Sequence, residues 1–354
     1  MRDASELGAV AVTAGPGLSM CLAVGGRAAR SLAASARVPL IPIHHLEAHA
    51  LLARLPAALE GGGGSPPTPP PFPFLCVLAS GGHNLILRVE GVGAYAQLGT
   101  TLDDALGEAF DKVARILGLA CVPSGGAAVE AAAARGDPRA FPFSRPLARR
   151  ARNGNVSYAG LKTAVRLAAE RAAPGPASPE NEGVRNDLAA SFQAVAVAHL
   201  ADRAASAGEG ALAAARAPGV PPAPTALVLA GGVAANAALR AALAAVAARL
   251  GLPLVVPRPS LCTDNGVMVA WAGVERARAG LALPLPPLPG CEGDGVPGWV
   301  EVRPRWPLAG APAPGAAGAP NVQSARKSRL HPSLTELTEG AVGRGEAPVT
   351  QWAE

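Results

Sequence analysis

Three of the chain's six histidines fall within six residues, His44-His45-Leu46-Glu47-Ala48-His49. His45 and His49 are four apart, so on a helix both imidazoles share one face and can bind one metal ion. Glu47 lies two residues after His45 and points to another face, which removes the H-E-x-x-H arrangement and its general base for peptide hydrolysis. A histidine cluster at a helix start can also serve as a cap or as plain surface. Two histidines make an incomplete site, and the candidate third donor is Asp264 in Cys262-Thr263-Asp264-Asn265-Gly266. Asp264 equally suits the N-cap of the Ala-rich helix that follows, and Cys262 is a competing ligand.

Two glycine turns end apolar runs. Ser80-Gly81-Gly82-His83 closes the run Phe74 to Ala79, and Ala230-Gly231-Gly232-Val233-Ala234-Ala235-Asn236 closes Ala226 to Leu229 and opens a helix. A glycine pair there lets backbone N–H groups approach a phosphate or nucleotide closely, although tight strand ends also need glycine. Their placement in separate halves of the chain suggests a cleft between domains. Neither turn matches a P-loop or a G-x-G-x-x-G fingerprint. Asp104, Glu108 and Asp111 follow at i, i+4 and i+7 of a helical pattern. They form either a solvated face paired with Lys112 and Arg115 or a group that binds nucleotide hydroxyls or positions a metal-bound group. Ser124-Gly125-Gly126, with Glu130 one turn beyond, is the kind of glycine turn and carboxylate that holds a ribose.

The elements that must position these groups alternate along the chain. Strands are expected at Ala9 to Thr13, Pro39 to Ile43, Phe74 to Ala79, Asn84 to Val89, Ala226 to Ala230 and Pro253 to Val256. Helices are expected at Leu18 to Ala36, His45 to Leu59, Leu102 to Leu117, Leu161 to Ala172, Val184 to Ala205, Ala234 to Leu250 and Asn265 to Ala279. This alternation, with a hairpin over Phe74 to Val89, implies an α/β fold with mixed sheets. The 354 residues contain 42 glycines and 36 prolines. Many of them gather at Gly61 to Pro73, Pro174 to Pro179, Pro218 to Pro224 and Pro284 to Gly298, which read as loops or linkers. From Ala309 to Glu354 no apolar periodicity is sustained, and this tail is expected to be disordered.

Hydrophobic residues make up 49% but aromatics only 3%, which suits close-packed helices on a sheet better than an aromatic β-sandwich. Five widely spaced cysteines with no C-x-x-C pair argue against a disulfide framework or zinc ribbon. A net charge of +5 permits an anionic partner without requiring one. Arg145 to Arg152 carries the densest basic run, a solvated surface or a phosphate contact. The uncharged stretch Leu7 to Gly26 has turn chemistry at Thr13 to Gly17, so it reads as strand, loop and helix rather than a membrane span. Arg2, Asp3 and Glu6 fit neither a signal nor a transit peptide.

Taken in order, TAGPGL (Thr13 to Leu18), HHLEAH (His44 to His49), SGGHN (Ser80 to Asn84), DDALGEAFDK (Asp103 to Lys112), YAGLKT (Tyr158 to Thr163), AGGVAAN (Ala230 to Asn236), CTDNGVM (Cys262 to Met268) and PRWPL (Pro304 to Leu308) resemble the tRNA N6-adenosine threonylcarbamoyltransferase family, in its organellar branch. The resemblance implies an actin-like, sugar-kinase-like ATPase (ASKHA) fold with two lobes around a nucleotide cleft. Its segments would be 1–100 for the rest of the first lobe with an insert at 61–73, 101–225 for the helical part of the second lobe, 226–308 for that lobe's core and the return to the metal site, and the tail 309–354. It implies His45, His49 and Asp264 as ligands of one divalent ion of the iron or zinc class. It also implies Leu78, Ala79, Ser80, Gly81, Gly82, Asp111, Gly126, Glu130 and Asn236 as contacts of threonylcarbamoyl-AMP supplied by a separate synthase. The implied product is the threonylcarbamoylated adenosine beside the anticodon of tRNAs reading codons that begin with A. A homodimer, no membrane partner and a mitochondrial location follow from the same branch. Family members open with a Gly-Ile-Glu-Thr-Ser-Cys-like loop upstream of TAGPGL. Its absence here implies that the first lobe lacks its opening strands, with an inactive nucleotide-binding or regulatory module as the alternative function. No residue stands out as general base.

Overall fold

The computed structural model describes residues 6–56, 68–148, 153–216, 222–281 and 302–308. The tail 309–354, most of the 61–73 insert, 149–152 of the basic run, 218–221 of the third Gly/Pro cluster and all of the 284–298 cluster lie outside the described residues. The elements run β1 (Val10–Gly15), α1 (Ser19–Ala36), β2 (Leu40–His44), α2 (His45–Leu51), β3 (Phe74–Ala79), β4 (Asn84–Gly91), β5 (Ala94–Thr100), α3 (Leu106–Ile116) and α4 (Gly125–Ala133). They continue with α5 (Ala159–Ala172), α6 (Glu182–Ala214), β6 (Leu227–Ala230), α7 (Ala237–Leu250), β7 (Leu254–Val255), α8 (Pro259–Cys262) and α9 (Gly266–Arg278).

These strands build a mixed α/β fold with two sheets. β1 and β2 pair in parallel, and a five-stranded sheet has the order β5-β4-β3-β6-β7. β3 is antiparallel to β4 and parallel to β6, in the middle of its sheet. Its sequence FLCVLA is apolar throughout because both of its faces are buried. Leu75, Val77 and Ala79 join the core beneath α3, α4, α6 and α7, while Phe74, Cys76 and Leu78 join a second core with α2.

α2 lies between the two sheets. Leu46, Ala50 and Ala53 pack with β3, β4 and β6, whereas Ala48, Leu51 and Leu52 pack with Ile41 and Ile43 of β2 and with Met268, Trp271 and Ala272 of α9. Every α2 residue from Leu46 to Leu51 is buried. Such a short helix has little intrinsic stability and owes its conformation to this packing.

The structure departs from the sequence expectations at several elements. β5 pairs antiparallel with β4 but was not anticipated, because AYAQLGT mixes Ala, Gly and Gln that form strands poorly. It is an edge strand, where such residues are tolerated. α4 occupies the segment expected as a glycine turn, and its Ala-rich sequence hides the helical period; Ser124 caps it, accepting from Ala127 N–H at 3.2 Å. α3 begins at Leu106 rather than Leu102, so Asp104 precedes the helix and does not share a face with Glu108 and Asp111. α6 extends to Ala214, and α2 gives way after Leu51 to a 3-10 turn over Leu52–Arg54.

Two polar residues fix the approach to α5. Asp103 Oδ1 accepts from the N–H groups of Asp104, Tyr158 and Ala159 at 2.8, 2.7 and 3.2 Å, and its Oδ2 accepts from Ser157 Oγ at 2.5 Å. Ser157 N–H in turn donates to Nε2 of His199 on α6 at 3.2 Å. His199 is fully buried, and burial lowers its pKa from 6.5 to about 4, helped by the Arg203 charge. The neutral ring is therefore the folded form, with Nε2 as acceptor.

Truncating the bridge between the sheets, Leu51→Ala, is expected to lower stability by about 3 kcal/mol in urea unfolding. An effect below about 1 kcal/mol would contradict the placement of Leu51. His199 gives a pH signature. Its folded pKa lies below its unfolded value, so its contribution is complete above pH 6.5 and is lost as pH falls toward about 4. The loss is roughly 2 to 3 kcal/mol, and a His199→Gln variant is expected to show a flatter stability profile across that window.

Candidate functional site

The histidine cluster divides its work. His44 is the N-cap of α2: its Nδ1 accepts from Leu46 N–H at 3.1 Å, so Nε2 carries the proton and donates to the Trp306 carbonyl at 2.9 Å. The two rings lie 4.7 Å apart. The segment 302–308 is laced to the end of β1 by Arg303 N–H to Ala14 O at 2.7 Å and to the loop after it by Gly17 N–H to Pro304 O at 3.2 Å. PRWPL thus fastens both the TAGPGL loop and the start of α2.

His45 and His49 face the other way, toward Asp264. His49 Nε2 lies 3.1 Å and His45 Nε2 3.5 Å from Asp264 Oδ1, and the two rings meet edge to face at 4.9 Å. Asp264 is not the cap of α9. Asn265 takes that role, accepting from Met268 N–H at 2.9 Å while its Nδ2 donates to the Leu261 and Thr263 carbonyls at 3.0 and 2.8 Å. The Asp264 carboxylate is thereby left for the histidines. Cys262 is buried, with its thiol directed to the Pro257 and Arg258 carbonyls at 3.5 and 3.3 Å.

One ligand atom from each of His45, His49 and Asp264 lies within 4.8 Å of the others. The set fits a divalent cation: two imidazole nitrogens and one carboxylate oxygen are donors that iron and zinc both accept, and a single ion bonded at about 2.0 to 2.2 Å spans such separations. Burial, then the neighbouring His49, holds the His45 pKa below its ordinary value against the pull of Asp264. The hydrogen bond with His49 lowers Asp264 despite its partial burial, with the charges of His45 and His49 acting in the same direction. A neutral His45 ring and an ionised Asp264 are the protonation states a metal requires. Asp264's side chain is 74% exposed whereas His49's is 1%, so the centre has a buried floor and an open face.

His83 belongs to the same neighbourhood. Its pKa is lowered first by burial and then by His45 and His49. In the sequence it is visible only as the last residue of the SGGH turn, not as a candidate for the site. Its carbonyl accepts from Ser80 N–H at 2.9 Å and its N–H donates to Ser80 Oγ at 3.0 Å, which closes the turn. Gly81 and Gly82 are exposed, and a Cβ on either would meet nothing within 4 Å. Leu78 and Ala79 are fully buried strand residues that set the position of this turn.

A ring of contacts joins the remaining candidates. Gly231, at φ +90°, lies so close to the Ala79 carbonyl that a Cβ there would collide with it, which demands glycine twice over. A Cβ on Gly232 would stand 3.8 Å from Thr263 Cγ2, next to Asp264. Gly107, in the first turn of α3, donates its N–H to Ser80 O at 3.2 Å with no room for a side chain. Asp111, on the same helix, presses its carboxylate against Gly125 at the start of α4. Glu130 on α4 accepts from Ala237 N–H at 2.7 Å. Asn236 caps α7 through Leu239 N–H at 2.9 Å and donates to Gln193 Oε1 at 3.0 Å. Gly126, next to Gly125, has only Ser124 Oγ near its missing Cβ, at 3.8 Å.

The acidic group expected on α3 is split. Asp104 is 2% exposed and bridges Lys112 Nζ at 2.8 Å and Lys162 Nζ at 2.7 Å, while Lys112 also meets Glu108 at 2.7 Å. Lys112 was foreseen as a local partner; Lys162, 58 residues away on α5, was not. Glu47, on another face of α2 from His45 as its i+2 position predicts, is buried against Arg276 and takes no part in the metal face.

Comparison with known proteins identifies the family of the chain. The family profile TsaD, tRNA N6-adenosine threonylcarbamoyltransferase, matches residues 3–271. A protein of Arabidopsis thaliana named "Probable tRNA N6-adenosine threonylcarbamoyltransferase, mitochondrial" is 46% identical over 338 residues, 94% of this chain and 65% of that protein. Proteins named tRNA N6-adenosine threonylcarbamoyltransferase from Methylobacterium nodulans and Rhodospirillum rubrum are 50% and 48% identical over 88% and 90% of this chain and 78% of their own lengths. The chain thus spans about two thirds of the Arabidopsis relative's length. Among solved structures, T. kodakarensis HypF overlaps 75% of this chain and 40% of its own at a TM-score of 0.50 and 16% identity, a likeness of fold alone. With a profile that spans most of its length and relatives near half identical along it, the chain belongs to the tRNA N6-adenosine threonylcarbamoyltransferase family.

Proposed function

We propose that the protein transfers the threonylcarbamoyl group from threonylcarbamoyl-AMP, made by a separate synthase, to N6 of the adenosine beside the anticodon in tRNAs that read codons beginning with A. Family membership together with the convergence of His45, His49 and Asp264 carries this reading. These three side chains would hold one divalent ion of the iron or zinc class. Bound there, the ion supplies Lewis acidity toward carbamoyl or phosphate oxygens.

The chain's own residues do the rest by positioning. The open backbone of Ser80, Gly81 and Gly82, with Gly126 and the Gly231-Gly232 turn, would receive the adenylate, because main-chain N–H groups can approach a phosphate only where no side chain intervenes. Asp111 against the start of α4 and Glu130 on that helix lie on the contact ring, where their carboxylates suit ribose hydroxyls. Asn236 adds an amide at the start of α7. Leu78 and Ala79 set the height of the first turn. The reacting carbonyl would then lie beside the open face of Asp264, accessible to an amine from tRNA, and the gain is one of orientation.

In this reading the fold is the two-lobed ASKHA architecture, with the β1–β2 sheet in the first lobe and the segments 101–225 and 226–308 in the second; β3 to β5, expected with the first lobe in 1–100, go with the second, because β3 pairs with both β4 and β6 in one sheet. The protein acts as a homodimer in the mitochondrion, the compartment in the name of the Arabidopsis relative. Among the described residues no helix is long and apolar enough to cross a membrane.

The test is direct. The metal-loaded protein, given threonylcarbamoyl-AMP and unmodified tRNA, is expected to yield threonylcarbamoyladenosine by mass spectrometry of nucleoside digests. His49→Ala and Asp264→Ala should each reduce the rate by at least about 100-fold, and removal of the ion by a chelator should do the same, reversibly. Unmodified tRNA after incubation with the metal-loaded wild type would refute the assignment.

A further inference from the structure

We propose that Glu47 and Arg276 are positioning residues for the metal site, acting through the crossing of α2 and α9. The proposal rests on reading His45, His49 and Asp264 as that site. α9 begins immediately after Asp264 and runs beneath α2, with Met268, Trp271 and Ala272 packed against Ala48, Leu51 and Leu52. Packing of this kind holds α2 in its slot but is non-directional, so it resists small rotations of the helix less than it resists removal of the helix.

Two ion pairs at the far end of α9 resist those rotations. Arg276 Nη1 reaches both Glu47 oxygens, at 3.1 and 3.2 Å, and Arg54 Nε reaches Glu275 Oε1 at 3.3 Å. The signs are crossed: α2 contributes the acid to one pair, and the turn after it contributes the base to the other. Side-chain exposure is 2% for Glu47 and 7% for Glu275, against 18% for each arginine, so water screens the contacts little. Arg54 is held in turn, with Nη1 donating to Pro70 O at 2.5 Å and its guanidinium over the Phe72 ring at 4.3 Å.

Two separated pins fix a rod in both position and rotation, whereas one pin fixes position alone. Glu47 lies between His45 and His49 in sequence on the opposite side of α2, so any rotation of the helix that moves Glu47 swings both imidazoles away from Asp264. Asp264 and Arg276 sit at opposite ends of the same helix. Arg276 therefore sets the aim of the ligands without touching any of them, and Glu47, which is misplaced for a protease general base, acquires a reason for its burial.

Cobalt(II) titration of the metal-free protein reads both affinity and, through the ligand-field absorption band, coordination geometry. Glu47→Gln is expected to weaken Co²⁺ binding about tenfold and to shift that band, an effect in the range seen when groups that orient ligands are removed. The double variant Glu47→Gln/Arg276→Met should bind no more weakly than the worse of its two single variants, because the pair acts as a unit. Leu200→Ala, buried in the α6 core away from both helices, serves as the comparator and should lower the unfolding temperature while leaving affinity and band unchanged. Should Glu47→Gln fail to fold, Glu275→Gln at the second pin carries the same test. Wild-type affinity and spectrum in the pin variants would overturn the proposal, as would an equal loss in Leu200→Ala. Wild type that binds no Co²⁺ would instead sink the reading of the metal site on which the proposal stands.

Discussion

The structure depends above all on the burial of one short helix between two sheets. α2 is seven residues long, too short to persist alone, and it is helical because Leu46 and Ala50 face the five-stranded sheet while Ala48 and Leu51 face β2 and α9. Only the strip bearing His45 and His49 is left to meet Asp264. The same packing that stabilises the helix therefore decides which side chains are free to do chemistry.

The glycine turns obey a related constraint. Gly231 and Gly107 are required because backbones approach more closely than a Cβ allows: Gly231 against Ala79, Gly107 against Ser80. These contacts bring the ends of β3 and β6 and the start of α3 to one place. Gly81 and Gly82 have no such neighbours, and their missing side chains leave open space instead. One residue type thus serves two purposes, close packing beneath the site and access above it.

Polar groups complete the framework at points where apolar packing cannot specify direction. Asp103 gathers the loop before α5, Asp104 ties α3 to α5 through two lysines, and Glu47 ties α2 to α9. A carboxylate is costly to bury alone: two lysines offset Asp104, Arg276 offsets Glu47, and the half-buried Asp103 gathers four donors. In a chain whose basic residues are nearly all arginine, both lysines among the described residues converge on Asp104. A compact ammonium fits a shared carboxylate where two broad guanidinium groups would crowd.

Much of this was legible beforehand. β3 was foreseen at its observed limits, and most other expected elements agree within two to four residues, because apolar runs and capping residues report local structure. The i, i+4 spacing of His45 and His49 was sufficient to put them on one face, since helical geometry alone dictates it. Other features were not legible, and three show why. α4 was hidden because an alanine-rich helix has no polar contrast to reveal its period. Asp104 appeared to lie on a helical face because spacing cannot locate the first residue of a helix. The role of Asp264 could not be read from its position, since an aspartate before a helix suits a cap or a ligand equally; the family resemblance implied a ligand, and the structure gives the cap to Asn265. Residue type and spacing determine which groups can do chemistry and on which side of an element they lie, as these are properties of the local backbone. Which of them meet is decided by the crossing of α2 and α9, an interaction between residues more than 200 positions apart.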